Sequence, residues 1–314
     1  MYPIHRILLA IKDPRARSHA ALGKAAQLAR TLGAEVRLFH GIADPIYIDA
    51  AGAMAQVYPD FERDRRDWYL AHLEKLAQRL RRRGIKTSTA VRWDFPVCES
   101  IVREAARFEA DLIVAECHPM AHHAPWLLRF TDWELLRLSP VPVLLVKSHR
   151  AYHHPKILAA LDPTHAFAKP ADLDGEILRY AAATADALQG LVHAVHAYDP
   201  ATPGAARTRA SNAAWRARAA LGETLRWSAI PDTRRHLVPS RPDEAIEGTA
   251  RRIGSGIVVM GAISRSGLSR LLIGNTAERV LDQLRCDVLV VKPRNFRNLI
   301  ARQPRGVQMI ALPA

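Results

Sequence analysis

The 314 residues are enough for two domains of ordinary size, and 49% of them are hydrophobic, so each domain can bury a core of its own. The chain is strongly basic, with 45 Lys and Arg residues against 31 Asp and Glu residues and a net charge of +14. Because the basic residues are spread through predicted helices and mixed with acidic ones, we expect no specific nucleic-acid binding.

The sequence favours neither a membrane nor an oxidising compartment. The first apolar run, residues 7–11, is far too short to cross a bilayer and is followed at once by Lys12 and Asp13, so we expect no membrane association. Cys98, Cys117 and Cys286 show no disulfide spacing. We therefore expect a reducing, cytoplasmic location.

The first half of the chain alternates apolar runs with amphipathic segments. The runs are rich in Val, Ile and Leu, as strands buried on both faces are, and they predict strands at 4–11, 34–42, 86–92, 111–116 and 141–147. Helical periodicity between them predicts helices at 17–32, 61–83, 97–108 and 132–138. Gly33 and Gly84 follow two of these helices, where a left-handed residue commonly ends a helix.

The second half repeats this pattern, with Asp162 matching Asp13 and Lys292 matching Lys147. It predicts strands at 156–161, 190–197, 235–238, 256–261 and 287–292, and helices at 171–188, 212–226, 243–253 and 275–284. Strands that alternate with helices indicate parallel sheets. We predict two tandem doubly wound parallel five-stranded sheets, Rossmann-like in class.

The predicted organisation has three parts. The two domains are expected at residues 1–148 and 156–293, with a linker around 148–155 between them. The remaining residues, 294–314, form a tail that we expect to lie on the surface or to be partly disordered.

The second half also carries a glycine-containing segment suited to an anion. In an open parallel sheet, ligands bind beyond the carboxyl ends of the strands, which is where Asp162 and the segment 261–276 are expected to meet. Backbone amides at glycines can approach a phosphate closely, and a helix start favours negative charge. The residues concerned are Gly261, Arg265, Gly267, Gly274, Asn275 and Thr276. Glycine spacing alone leaves both a nucleotide loop and a plain structural turn open.

The spacing of Gly261, Ser264 and Gly274 resembles the Gly-x2-Gly-x9-Gly-Ser/Thr loop of ATP-binding universal stress proteins, with Ser264 and Asn275 as departures from it. The runs 274–280 and 284–293, and Phe130–Arg137 in the first half, are similar to tandem members of that family. The resemblance covers nearly all of the chain up to about residue 297.

This resemblance implies a strand order of 3-2-1-4-5, a homodimer or a pseudo-dimeric tandem, and a cytoplasmic role in stress survival. It also implies that Asp162 and the backbone around His196 hold the adenosine of ATP, while the glycine loop holds the phosphates. The first half has Glu116, Pro119 and Arg129 at the three anchor positions of the loop. We therefore expect ATP in the second half only.

Other chemistry is weakly indicated. Cys117, His118, His122 and His123 could supply zinc ligands, but Pro119 disrupts their helical spacing and no second cluster completes the set, so we expect no metal. No catalytic motif is present. Two alternatives to a nucleotide-binding regulator stay open: a slow ATP hydrolase, and a binder of a non-nucleotide, lipid-like metabolite covered by the apolar segment 46–58.

Overall fold

The computed structural model describes residues 4–48, 54–116, 125–164, 172–198, 207–261, 275–296 and 300–311. Two compact units are present. The N-terminal unit contains Pro3–Val141 together with Arg297–Ala314, and the C-terminal unit contains Pro142–Phe296. None of the helices in the described ranges has the length and apolar character of a bilayer-spanning segment.

The N-terminal unit is built on a parallel sheet of order β4-β2-β1-β5. Its strands are β1 Arg6–Ala10, β2 Glu35–Ile42, β3 Ile46–Ile48, β4 Thr87–Trp93 and β5 Leu112–Glu116. Its helices are α1 Ala20–Leu32, α2 Met54–Arg81, α3 Val97–Phe108 and α4 Pro125–Leu138. The short strand β3 lies outside this sheet.

The C-terminal unit repeats the arrangement, with parallel strands in the order β11-β10-β7-β8-β9. Its strands are β6 Val143–Val146, β7 Lys156–Leu161, β8 Leu191–Ala197, β9 Arg235–Val238, β10 Ser255–Gly261 and β11 Asp287–Val291. Its helices are α5 Leu173–Leu188, α6 Arg207–Thr224, α7 Pro242–Ile253 and α8 Asn275–Gln283. Strand β6 pairs antiparallel with β11.

The predicted doubly wound α/β fold is confirmed. Central strands are wholly buried, as Ile7, Leu8 and Leu9 of β1 show with no exposed surface, which explains their continuous apolar sequence. Gly33 and Gly84 adopt φ values of 66° and 75°, the left-handed conformation predicted for residues that follow helices. Strand β6 was predicted to be the last strand of the first domain, but it belongs to the C-terminal unit, where it pairs with β11.

The segment after β6 is fixed to the C-terminal unit by one buried carboxylate. Asp287 has no exposed surface and accepts hydrogen bonds from the backbone N of Lys147 (2.9 Å), the backbone N of Ser148 (3.0 Å) and the Tyr152 hydroxyl (2.5 Å). Burial, and then the charge of Asp287, raise the pKa of the Tyr152 phenol. Part of the predicted linker therefore belongs to the core of this unit.

The tail packs against the N-terminal unit. Strand β12, Met309–Ala311, pairs in parallel with β3, and the backbone N of Ile46 donates to the carbonyl of Gln308 at 2.8 Å. Arg305 donates from its backbone N to Asp94 Oδ1 (2.9 Å) and from its guanidinium to Glu99 Oε1 (2.6 Å). The tail thus contributes a strand and an ion pair to this unit, although it was predicted to lie on the surface or to be partly disordered.

Asp94 joins the tail to a buried arginine. Its Oδ2 lies 2.7 Å from Arg103 Nη2, and the side chains of Arg103 and Asp94 are 2% and 4% exposed. Arg103 also pairs with Glu99 at 3.0 Å. Breaking a buried pair by removing one partner is costly, because the other charge stays buried without full compensation.

We expect Asp94→Ala to lower the free energy of unfolding of the N-terminal unit by about 3 kcal/mol, since Arg103 and two tail amides lose an acceptor. Urea denaturation of the full chain, followed by circular dichroism and Trp fluorescence, measures this. The control is Asp232→Ala, which removes a carboxylate that is 91% exposed and is expected to cost less than about 0.5 kcal/mol. Equal effects of the two variants would contradict the prediction.

A histidine pair joins β8 to β9 in the C-terminal unit. Nδ1 of His193 lies 3.1 Å from Nε2 of His236, and the rings stack with centroids 5.4 Å apart. Arg252 donates to His236 Nδ1 at 3.3 Å, so His236 Nε2 carries the proton that it shares with His193. Burial, with the nearby charges of His236, Arg234 and Lys156, lowers the pKa of His193 from 6.5 to about 4.

This pair predicts a loss of stability in mild acid. Because the folded pKa of His193 lies below the unfolded value, the unfolded chain binds more protons, and the stabilisation present above pH 6.5 is lost as the pH falls towards about 4. We expect His193→Gln to reduce the slope of unfolding free energy against pH in that window. The exposed His149→Gln should keep the slope of the parent chain, and a parental slope in His193→Gln would refute the assignment.

Candidate functional site

Each unit has a switch point in its strand order. At this point the chain continues from the first strand to one side of the sheet and later returns to the other side. In the C-terminal unit, β7 lies between β8 and β10, and in the N-terminal unit, β1 lies between β2 and β5. Ligands of open parallel sheets bind in the crevice beyond the carboxyl ends at such a point. Of the predicted site residues, Asp162, His196 and Gly261 lie at these strand ends.

Asp162 follows β7 and is 4% exposed. Its backbone N donates to both carboxylate oxygens of Asp174 at 3.1 Å, and the Thr164 hydroxyl donates to its Oδ1 at 3.3 Å. Asp174 lies in the first turn of α5. The end of the first strand is therefore tied to the start of the next helix, which fixes the position of the Asp162 carboxylate.

His196 lies beside this strand end. It is paired with Leu161 in the register of β8 and β7, is 1% exposed, and its Nδ1 lies 3.3 Å from the Leu161 carbonyl oxygen. A carbonyl only accepts, so Nδ1 carries the proton of this hydrogen bond. The structure brings together His196 and Asp162, which were predicted to lie near each other.

Gly261 ends β10, the other strand beside β7. A Cβ atom at this position would lie 2.3 Å from Leu173 Cδ2 and 2.9 Å from Leu173 Cγ, far inside van der Waals contact. Leu173 is wholly buried at the start of α5. Gly261 does not have a positive φ, so the glycine is required by the close approach of α5 to the strand.

The structure describes only part of the rest of the predicted loop. Ser264, Arg265, Gly267 and Gly274 lie outside the described residues. Helix α8 begins at Asn275, as predicted, so Asn275 and Thr276 form its first turn. Cys117, His118, His122 and His123, the side chains considered as zinc ligands, also lie outside the described residues. Elsewhere in the described ranges, no group of three or more His, Cys, Asp or Glu side chains is arranged to hold a metal ion.

The N-terminal unit has a closely similar histidine. Ala10 pairs with Phe39 in the register of β1 and β2, which places His40 beside Ile11 just as His196 lies beside Leu161. Nδ1 of His40 lies 2.9 Å from the Ile11 carbonyl oxygen. Burial lowers the pKa of His40, so its imidazole is neutral at pH 7. His40 was not among the site residues predicted from the sequence.

Glu116 occupies the position of Gly261. Strand register pairs Ile7 with Leu112 and Ile157 with Ile257, so the last residues of β5 and β10, Glu116 and Gly261, correspond. The Glu116 Oε1 accepts a hydrogen bond from the backbone N of Ala21 at 2.9 Å. Ala21 lies in the first turn of α1, where free amides favour a carboxylate. An acidic side chain thus takes the amide that an anionic ligand would use.

A cavity of about 390 Å³ opens at the same end of the N-terminal sheet. Its wall includes Asp13, His40 and Glu116 at the ends of the three neighbouring strands. Helix α3 contributes Val97 and Ile101. The loop spacing of Gly261, Ser264 and Gly274 predicts a nucleotide in the second half, and no comparable motif in the sequence indicates this cavity of the first half.

Cys98 is not a reactive thiol in this arrangement. It is 3% exposed at the start of α3, and burial raises the pKa of its thiol to about 11. A thiol with such a pKa is protonated at pH 7 and behaves as a small apolar side chain.

The family model described as "Universal stress protein family" matches the chain twice, at residues 3–147 and 155–292. The chain belongs to the universal stress protein family. Both copies of the repeat are thus universal stress protein domains in tandem, and the two switch points lie at corresponding positions of the two domains.

Similar proteins match this chain over nearly the whole of their own length. Universal stress protein E of Escherichia coli K12 is 28% identical over 308 residues, which covers 94% of this chain and 96% of that protein. A crystal structure of a protein of unknown function from Pseudomonas aeruginosa PAO1 has 28% identity and a TM-score of 0.75, with coverage of 93% and 94%. A universal stress protein from Archaeoglobus fulgidus shares the fold with a TM-score of 0.65, 18% identity and coverage of 94% and 100%.

The contact between Gly261 and α5 predicts the effect of a single methyl group. Gly261→Ala should lower the free energy of unfolding by about 1–3 kcal/mol, because Leu173 must leave its packed position. The measurement is chemical denaturation. Gly248→Ala is the matched control, since a Cβ in that position of α7 meets nothing within 4 Å, and it should be neutral or slightly stabilising.

A double-mutant cycle tests the cause. Adding Leu173→Ala to Gly261→Ala should cost less than the sum of the two single changes, because the smaller side chain relieves the overlap. If the two losses of unfolding free energy were simply additive, Leu173 would not be the residue that restricts position 261.

Proposed function

We propose that this tandem universal stress protein binds ATP or a related adenine nucleotide in its C-terminal unit, as a regulatory ligand in a stress response. The observation that supports this most directly is the meeting of three adjacent strand ends at one switch point. Asp162 follows β7, His196 is the last residue but one of β8, and Gly261 ends β10. Helix α8 then starts at Asn275, the position that the family's phosphate loop assigns to a helix start.

The buried acid gives the proposed site its polar anchor. The Asp162 carboxylate is fixed by the bond of its own backbone N to Asp174 and by Thr164. In the proposal, it accepts hydrogen bonds from the adenosine, while the backbone at 194–196 lies beside it along β8. The imidazole of His196, bonded to Leu161 O, keeps these two strand ends in register.

The phosphates are assigned to the segment between β10 and α8. The first turn of α8 offers backbone amides that favour an anion, and Arg265 and Arg270 supply positive charge within the same segment. Gly261, which ends β10, presents no side chain towards Leu173 at the start of α5. The N-terminal unit has Glu116 at the corresponding position, so the proposal gives one nucleotide to each chain.

The proposed role is regulatory binding. The described residues around Asp162 include no activated nucleophile, and the cluster at Asp162, Asp174 and Thr164 is engaged in fixing the loop. The N-terminal unit then acts as a structural partner or as the site of a separate ligand. A cytoplasmic location and a homodimer stay predictions from sequence and family.

Isothermal titration of the full chain with ATP should show one site per chain. Asp162→Asn should weaken binding at least about tenfold, since it removes the charge of a fixed hydrogen-bond acceptor, and Gly274→Asp should abolish binding by placing a carboxylate in the phosphate loop. Asp13→Asn, the matching change in the N-terminal unit, should leave ATP affinity unaltered. Two equal sites, or no binding by the parent chain, would refute the proposal.

A further inference from the structure

The cavity of the N-terminal unit differs chemically from a nucleotide site. Its volume of about 390 Å³ lies in the range of small-molecule pockets, and it lies at the carboxyl ends of β1, β2 and β5. The side chains that replace a phosphate cradle there are hydrogen-bond acceptors. Three of them, Asp13, His40 and Glu116, come from the three strand ends.

Glu116 sets the charge preference of the cavity. Its Oε1 is used by the backbone N of Ala21. For Oε2, the described part of the chain provides no hydrogen-bond partner, although the residue lines the cavity and is only half-buried. A carboxylate accepts hydrogen bonds and repels anions. A ligand beside Glu116 therefore gains from N–H donors and from positive charge.

His40 adds a second acceptor. Its Nδ1 donates to the Ile11 carbonyl at 2.9 Å, and burial keeps the ring neutral by lowering its pKa. In a neutral imidazole whose Nδ1 carries the proton, Nε2 has a lone pair that accepts. The ring is held against Tyr69, with centroids 4.4 Å apart, so the orientation of this acceptor is fixed.

The cations on the wall lie at its exposed edge. Lys12 is exposed, and the Arg15 side chain is 60% exposed and bonded to Asp13 at 3.0 Å. Asp44, which also lines the cavity, pairs at 3.0 Å with Arg65, which does not. Among the charged residues of the lining, Asp13 and Asp44 are thus paired with cations, and the Glu116 carboxylate and the neutral His40 remain as acceptors for a ligand.

The remaining wall is apolar. Five buried side chains and the half-buried Val97 complete the lining; the buried ones are Ile11, Phe39, Ile42, Ile101 and Leu135. They suit a hydrophobic body, whereas the acceptors suit a head group with several N–H donors. We propose that the cavity of the N-terminal unit binds a small organic amine as its ammonium ion, with the ammonium group at Glu116 and His40 and the apolar body against α3.

This site is separate from the nucleotide proposed for the C-terminal unit and does not depend on it. The two ligands have opposite charge and are assigned to different units. A failure of ATP to bind would leave the amine site untouched, and a failure of the amine to bind would leave the ATP site untouched.

Three probes with the same phenyl body test the charge preference: 2-phenylethylamine, 2-phenylethanol and 3-phenylpropanoate. Titration of the full chain, followed by ligand-detected NMR and calorimetry, should rank them amine, alcohol, carboxylate, with at least about a tenfold gap between the first and the last. Saturating ATP should not displace the amine. Equal or tighter binding of 3-phenylpropanoate, competition by ATP, or no amine binding up to about 10 mM would overturn the proposal.

Glu116→Gln should weaken amine binding about tenfold, because it removes the charge but keeps an oxygen for the backbone N of Ala21. Asp13→Asn provides a second variant at the wall and should weaken it severalfold. The control is Glu109→Gln, whose side chain is 76% exposed, pairs with Arg6 and lies outside the cavity. Unchanged amine affinity in the folded Glu116→Gln and Asp13→Asn proteins would overturn the proposal.

Discussion

Both sites depend on one constraint, the parallel pairing of β1 with β5 in the first repeat and of β7 with β10 in the second. The registers Ile7–Leu112 and Ile157–Ile257 bring the last residues of β5 and β10 to corresponding places. On the other side of each first strand, the pairing of β1 with β2 and of β7 with β8 places His40 and His196 beside the carbonyls of Ile11 and Leu161. Neither arrangement needs identical residues around it, because the apolar pattern of the buried strands fixes their register.

On this common scaffold, one side chain separates two kinds of chemistry. At Gly261, the helix after the first strand approaches so closely that a methyl group would overlap Leu173. At Glu116, the corresponding helix begins with an amide that the carboxylate binds. In our two proposals, the second repeat binds an anion, while the first satisfies its helix start internally through Glu116 and presents acceptors to the cavity.

Most of the fold could be predicted from local sequence. Buried parallel strands need continuous apolar runs, so β7 was predicted with its observed bounds of 156–161. Helix α3 was likewise predicted at 97–108. Such signals lie within a few residues of each other and need no knowledge of distant partners.

The features that could not be predicted all involve partners far apart in the chain. Asp94 and Arg305 are 211 residues apart, and the apolar run Met309–Ala311 is too short to indicate by itself a strand that pairs with β3. The reason for Gly261 also lies elsewhere, in Leu173, since its φ is not left-handed. The cavity of the N-terminal unit was not predicted in detail, because its polar residues Asp13, His40 and Glu116 come from three strands that are far apart in the sequence.

The docking of the tail has a consequence for how the protein is made. The carboxylates of Asp94 and Glu99 are buried and depend on Arg305 and on the amide of Gly306 for part of their hydrogen bonding. These partners leave the ribosome only after the entire C-terminal unit has been synthesised. The domain that emerges first is therefore completed last, and a premature stop near residue 300 would damage the half of the protein that is most distant from it in the gene.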